Sequence, residues 1–278
     1  MTFSEFILPE DLRAAKSALK KLGDQGFAVA GGTSLHFLSV ADKTAVDLSR
    51  LGLSGIKKKG GTFLVGATTP LDDLMRYRSA GWVLDQVALH TSTQQVRNIS
   101  TVGGNLARVF PWNDLPVALL ALDATMVVEG AKEKAYPAGE FFDGQPLRLF
   151  KPGHLLTRVE VPALRKGQGF GYHKEVRLHA GFTLMTAAAV VTVKGGRIKE
   201  VRAAVGGGVA FPVRLPLLET ALEGQPVDAP SLPQAVANGT TEVAWKGKEG
   251  LSDQYAAHLG RVVLADVLTA ALRQAKGE

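Results

Sequence analysis

The chain has 278 residues, 46% of them hydrophobic and 21% charged, a balance that suits one large folded unit or two to three smaller ones and excludes a disordered or fibrous chain. It contains no cysteine, which excludes a disulfide framework, a cysteine-ligated zinc or iron–sulfur site of its own, and a thiol nucleophile. The formal charge of +6 invites a nucleic-acid or anionic-ligand reading, but the run Lys57-Lys58-Lys59 beside Gly60-Gly61 has no interleaved aromatics and reads as a solvated turn between two strands.

Residues 9–22 place Leu12, Ala15, Leu19 and Leu22 on one helical stripe, with Pro9 early and Gly23 as a left-handed stop. The start of the chain lacks the basic region and long apolar core of a signal peptide, and no window holds roughly 18 uninterrupted apolar residues, so a cytoplasmic protein without a membrane span is expected. Residues 27–30 read as a strand, Gly31-Gly32-Thr33-Ser34 as a tight turn, 35–38 as a short helix or turn, and 45–48 as a second strand. Another strand is expected over 62–67. Thr69-Pro70-Leu71-Asp72 then has the form of a capped helix start, in which the macrodipole accounts for Asp72 and Asp73. A helix over 81–90, a polar stretch over 94–100 and a second glycine turn around Gly103-Gly104 follow. Asp114 is placed to cap a helix running to Leu122, with a strand over 124–128.

Composition changes near Arg165, where Lys166-Gly167-Gln168-Gly169 reads as a linker. Beyond it, 183–193 and 197–205 are β-branched runs joined at Lys194-Gly195-Gly196, a hairpin signal. Helices are expected over 214–222, 231–238 and 252–276. The C-terminal part is thus an antiparallel sheet followed by helices.

The two double glycines, each flanked by Thr, Ser or Asn, have the composition of an anion cradle. Glycine lets consecutive N–H groups approach a phosphate while hydroxyls and amides add donors. Two such loops suit a ligand with a pyrophosphate. Neither is a Rossmann or P-loop fingerprint, since Gly167-Gln168-Gly169 lacks a glycine at 172 and no G-x-x-x-x-G-K-S/T run occurs. The six histidines are scattered; His173 and His179 have no metal-ligand spacing, and Ser34 is not in a G-x-S-x-G elbow.

Ala30-Gly31-Gly32-Thr33-Ser34-Leu35 and, more specifically, Arg97-Asn98-Ile99-Ser100-Thr101-Val102-Gly103-Gly104-Asn105-Leu106-Ala107 followed by Asp114-Leu115-Pro116 resemble the signatures of one family. It is the flavin-binding subunit of molybdenum hydroxylases, the group of carbon monoxide dehydrogenase medium subunits and the xanthine dehydrogenase flavin domain. Val65-Gly66-Ala67-Thr68-Thr69, Tyr172-His173-Lys174 with Arg177, and Gly206-Gly207-Gly208 leading to Pro212-Val213-Arg214 extend the resemblance over nearly the whole chain. The chain departs from the family pattern in having Gly181 before Phe182 where many members carry aspartate, and in the aromatic stretch 108–113.

The resemblance implies an α+β architecture: a vanillyl-alcohol-oxidase-type FAD-binding fold of two α/β subdomains, residues 1–55 and 56–165, and a C-terminal α+β domain, 166–278. It implies that Val29, Ala30, Gly31, Gly32, Thr33, Ser34 and Leu35, with Thr101, Gly103, Gly104 and Asn105, wrap the pyrophosphate. Thr68 and Asn98 belong to the same implied FAD-binding set. Asp114 would accept bonds from ribose or ribityl hydroxyls, a role that competes with simple helix capping, and Leu156 and Lys174 would lie near the isoalloxazine. No catalytic acid or base and no metal ligand is implied on this chain.

The implied function is an FAD-dependent electron-transfer subunit, an oxidoreductase component that passes electrons from 2Fe-2S clusters on a small partner chain to a final acceptor. Molybdenum–pterin chemistry would sit on a large partner chain, in a heterotrimer or a dimer of heterotrimers. A stand-alone flavin oxidoreductase of the same fold is the alternative, and a non-catalytic nucleotide- or nucleic-acid-binding module is the reading from a different class.

Overall fold

The computed structural model describes residues 3–178, 181–228, 232–248 and 250–278. It opens with strand β1 (Glu5–Ile7) and helix α1 (Leu12–Leu22), then β2 (Gly26–Val29) and β3 (Thr44–Asp47). Helix α1 begins three residues later than Pro9 suggests, because the Asp11 carboxylate accepts a 2.7 Å bond from the Ala14 N–H and fixes the start there. Gly23 ends it at a φ of +56°. The three strands pair in parallel in the order β1-β3-β2, so the buried Ala45 and Val46 of β3 lie at the centre.

The second sheet is antiparallel. It contains β4 (Ile56–Lys59), β5 (Thr62–Gly66), β6 (Thr125–Glu129), β7 (Glu133–Pro137) and β8 (Leu155–Pro162) in the order β4-β5-β8-β6-β7. The three lysines are therefore not the turn but the edge strand β4; the turn is Gly60-Gly61, with Gly60 at a φ of +58°. Charge on an exposed edge discourages pairing with another chain.

Between β5 and β6 run α2 (Leu71–Arg76), α3 (Leu84–Leu89), α4 (Gln94–Arg97), α5 (Val102–Ala107) and α6 (Leu115–Ala121), and α7 (Ala138–Phe141) follows β7. Thr69 does not cap α2. Its hydroxyl bonds the backbone of Gly55 instead, and Pro70 takes the cap position without a side-chain bond. Asp72 is buried and lies 2.6 Å from Arg76 and 3.5 Å from Arg97, an ionic tie between α2 and α4. Glycine 81 precedes rather than begins α3. The second double glycine is not a turn at all but lies inside the first turn of α5.

The third sheet contains β9 (Gln168–Val176), β10 (Thr183–Lys194), β11 (Arg197–Gly206) and β12 (Val213–Arg214), antiparallel in the order β12-β11-β10-β9. Its hairpin turns at Gly195 and Gly196, with φ of +59° and +72°, the left-handed pair of a two-residue β-turn. Gln168 and Gly169, which read as linker, are strand residues. Strand β9 is glycine-rich because Cβ atoms at Gly169 and Gly171 would each stand 2.0 Å from a carbonyl oxygen, of Ala271 and Val267 respectively. Those carbonyls belong to the C-terminal helix.

Arg214 ends β12, and the chain then forms α8 (Pro216–Leu222), α9 (Leu232–Gly239) and α10 (Asp253–Lys276). Ser231, read as the start of α9, lies outside the described residues. Helix α10 is long and apolar enough to cross a bilayer, but Val263, Leu264, Val267, Leu268, Ala271 and Leu272 are buried in a core shared with Met185, Ala187, Ala189 and Val191 of β10. The alternate residues of β10, Ala188 and Val190, join the other core. That core also receives α6, every residue of which is buried. The third sheet is thus covered on both faces, and α6 couples it to the second.

Candidate functional site

A cavity of about 850 Å³ is lined by the loop after β2, the segment around α4 and α5, the Lys151–Leu156 stretch, and residues at the start of the third sheet. Its size falls in the upper part of the roughly 300–1,000 Å³ range of ligand pockets, which suits an extended dinucleotide better than a single ring.

The first wall forms where the chain leaves β2 at Val29. Gly32 takes a φ of +67°, and the Leu35 N–H turns back onto the Gly32 carbonyl at 3.1 Å. Gly31 must lack a Cβ, because one would stand 2.0 Å from the Ile99 carbonyl oxygen. The first loop therefore lies directly on the segment before α5. The hydroxyls of Thr33 and Ser100, 2.9 Å apart, bond across the same contact. Among the described residues the backbone N–H groups of Gly31, Gly32, Thr33 and Ser34 meet no protein acceptor. Four successive free donors in a cavity wall are the arrangement a phosphate needs.

The second wall is built differently. The N–H groups of Val102 and Gly103 donate to the Thr69 and Ala67 carbonyls at 2.9 and 2.6 Å, and that of Gly104 donates to the Thr101 hydroxyl at 3.1 Å. This corrects the expectation of two like cradles: the first turn of α5 has its donors occupied. Here glycine serves packing, since a Cβ on Gly103 would be 2.8 Å from the Ala67 oxygen. The group left for a ligand is the Asn105 side chain, whose Oδ1 is buried with no protein partner.

Asp114 is not the cap that the sequence suggests. It stands before α6 with no side-chain bond to the helix, and its carboxylate is turned toward the third sheet. Oδ2 accepts from Lys174 Nζ at 2.7 Å, and Oδ1 accepts from the Thr183 and Thr186 hydroxyls at 2.8 and 2.6 Å. The pair is deeply buried, with side-chain exposures of 6% for Lys174 and 1% for Asp114. The neighbouring Tyr172 hydroxyl is buried without a partner among the described residues. Burial first, and the Asp114 charge second, push that phenol well above its usual range.

Of the residues singled out from the sequence, Val29 to Leu35, Thr68, Thr101, Gly103, Gly104, Asn105, Asp114, Leu156 and Lys174 all line the cavity. Asn98 does not. It follows α4 as an exposed residue, and its neighbours Arg97 and Ser100 face the cavity instead. Four lining aromatics escaped the sequence reading as a group. Phe110 and Trp112 stack at 4.9 Å, and Phe37 and Phe182 lean on Trp112 at 5.0 and 4.6 Å. Two of the three segments that meet here, 108–113 and 181–182, are the family departures noted in the sequence, but nothing in the spacing signals that they touch. Among the described residues no three metal-ligating side chains converge. His173 sits 3.2 Å from Glu175, partly exposed, and His179 lies outside the described residues.

Residues 2–164 match the family described as "FAD binding domain in molybdopterin dehydrogenase", and 171–271 match "CO dehydrogenase flavoprotein C-terminal domain". The chain is 28% identical to the 6-hydroxypseudooxynicotine dehydrogenase complex subunit alpha of Paenarthrobacter nicotinovorans, over 98% of this chain and 95% of that one. It is 29% identical to the carbon monoxide dehydrogenase medium chain of Hydrogenophaga pseudoflava, over 72% of this chain and 73% of that one. A solved structure of the Cu,Mo-CO dehydrogenase in its cyanide-inactivated form contains a chain that superposes with a TM-score of 0.91 at 26% identity, covering 98% of this chain and 99% of its counterpart.

Proposed function

Because this chain belongs to the FAD-binding family of the molybdopterin dehydrogenases and is a flavoprotein oxidoreductase component, we propose that its cavity holds FAD between the Gly31–Ser34 loop and the Asp114–Lys174 pair. The observation that carries this reading is the run of four backbone N–H groups at one wall of a cavity that have no acceptor among the described residues. Such a run fits a pyrophosphate. Asn105 adds an acceptor without a protein partner, and Thr68, Thr101, Gly103 and Gly104 complete the wall. Leu156 and Lys174 would flank the isoalloxazine, an apolar surface and a cation.

Bound FAD would supply two-electron redox chemistry. The protein's part is to bind, orient and exclude water. The α5 turn, with its donors already satisfied, gives the wall a fixed shape before any ligand arrives, which lowers the ordering cost of binding. Asp114 fixes the Lys174 ammonium at the wall. No side chain is assigned as an acid or base.

The proposed role is electron transfer from 2Fe-2S clusters on a small partner chain to a final acceptor, with the molybdenum–pterin centre on a large partner chain. A heterotrimer, single or doubled, located in the cytoplasm is the proposed assembly. The chain's lack of cysteine accords with cluster ligands residing elsewhere. The proposed division into FAD-binding subdomains 1–55 and 56–165 and a C-terminal domain 166–278 follows the three sheets.

The test is to purify the chain from its native host with whatever accompanies it, record the visible spectrum, and identify the released cofactor by mass. FAD released in equimolar amount, with cysteine-rich and pterin-bearing chains copurifying, supports the assignment. A chain that stays colourless after FAD is added back contradicts it.

A further inference from the structure

The Asp114–Lys174 pair is built more heavily than a structural tie requires. Lys174 on β9 and Thr186 on β10 are direct cross-strand partners, and both reach the same carboxylate from the facing sheet. Thr183 adds a third donor from β10, while Asp114 itself comes from the start of α6. Three elements thus converge on one carboxylate at the cavity wall. Two hydroxyls and an ammonium surround the carboxylate, the Thr183 hydroxyl also lying 3.1 Å from the Trp112 carbonyl oxygen, and the Lys174 and Asp114 side chains are held 2.7 Å apart with almost no access to water. In such a place charge is weakly screened.

We propose that Asp114, anchored by Thr183 and Thr186, is a positioning residue that partly cancels the Lys174 charge and thereby sets the reduction potential of the flavin in the cavity. The inference rests on the reading that Lys174 flanks the isoalloxazine. When a flavin takes up two electrons and one proton, the ring gains one negative charge. A nearby cation stabilises that state and raises the potential, and a nearby anion lowers it. Lys174 presents the cation, and Asp114 tempers it. The electrons come from the partner clusters in the complex or from an electrode in the test.

The measurement is a spectroelectrochemical titration of the FAD-loaded full chain in its complex, with near-isosteric variants. Asp114→Asn leaves Lys174 uncompensated and raises the midpoint potential. Lys174→Met leaves Asp114 uncompensated and lowers it. The double variant falls between the two singles. A loss of packing alone would not produce shifts of opposite sign. Unchanged potentials, or shifts of the same sign in both singles, overturn the proposal. Should Asp114→Asn fail to fold, the double variant is compared with Lys174→Met alone, a higher potential in the double supporting the proposal and equal potentials overturning it. A native complex that carries no flavin on this chain overturns the underlying FAD reading instead, a result distinct from bound flavin with an unaltered potential.

Discussion

Gly31-Gly32 and Gly103-Gly104 look alike in the sequence, each a double glycine among small polar residues, and the structure uses them in opposite ways. At the first pair the backbone turns through a positive φ at Gly32 and leaves four successive N–H groups without acceptors among the described residues. At the second the glycines are helical, and the N–H groups of Val102, Gly103 and Gly104 are all engaged within the protein. One pair exposes donors to a ligand; the other lets α5 press against Ala67 and hold the opposite wall still. The same dipeptide therefore supports two inferences, and only the partners of its N–H groups tell which applies.

Substitutions at these positions separate the two roles. The largest effect is expected just beyond the second pair, at Asp114→Ala. If Asp114 were only a cap, the loss would be about 1 kcal/mol. Stranding the buried Lys174 ammonium raises the expected loss to about 3–5 kcal/mol in chemical denaturation. Gly31→Val comes next. Its Cβ would meet the Ile99 backbone oxygen, which has no flexible end to move, so a loss of about 3 kcal/mol should accompany loss of FAD binding in a fluorescence titration.

Gly32→Ala and Gly103→Ala are expected to cost similar stability and to differ in ligand binding. The first forces a left-handed residue, at about 1–2 kcal/mol, and misdirects the free N–H groups, so FAD affinity falls at least tenfold. The second crowds Ala67, at about 1–2 kcal/mol, and leaves affinity within about twofold at a temperature where the chain is folded. Equal losses of affinity in both variants would erase the distinction. Gly104→Ala is the smallest change. Its Cβ meets only the Thr101 hydroxyl, at 3.0 Å, and the gain in helix propensity of about 1 kcal/mol offsets that crowding. Thermal unfolding should stay within about 0.5 kcal/mol of the parent, an effect typical of an innocuous substitution.

Much of the fold was legible where local chemistry decides it. The stripe of α1, its Gly23 stop and the Gly195-Gly196 hairpin are each written in a few adjacent residues. Strands β1 and β7 leave little trace in the sequence: β1 spans only three residues, and the β7 sequence Glu133-Lys134-Ala135-Tyr136-Pro137 is mostly exposed and lacks a clear apolar alternation. The first two residues of β9, Gln168 and Gly169, read as linker because the strand's glycines answer to the α10 backbone, which arrives about a hundred residues later, as the Phe170–Gln274 bond with its separation of 104 residues illustrates.

The site divides the same way. The glycine signatures located the cavity walls, whereas the role of Asp114 was hidden because its threonine partners lie 69 and 72 residues away. An aspartate before an apolar run is indistinguishable from a helix cap until the sheet that claims it is in view. The aromatic cluster of Phe37, Phe110, Trp112 and Phe182 was equally hidden, since no period or spacing links its members.

The most direct test of the contrast is amide hydrogen exchange on the full chain, with and without FAD, read at Gly31 to Ser34 and at Val102 to Gly104. The first set is expected to exchange fast in the free chain and to slow on adding FAD, while the second is already protected and changes little. Protection by FAD at the second set with none at the first would contradict it.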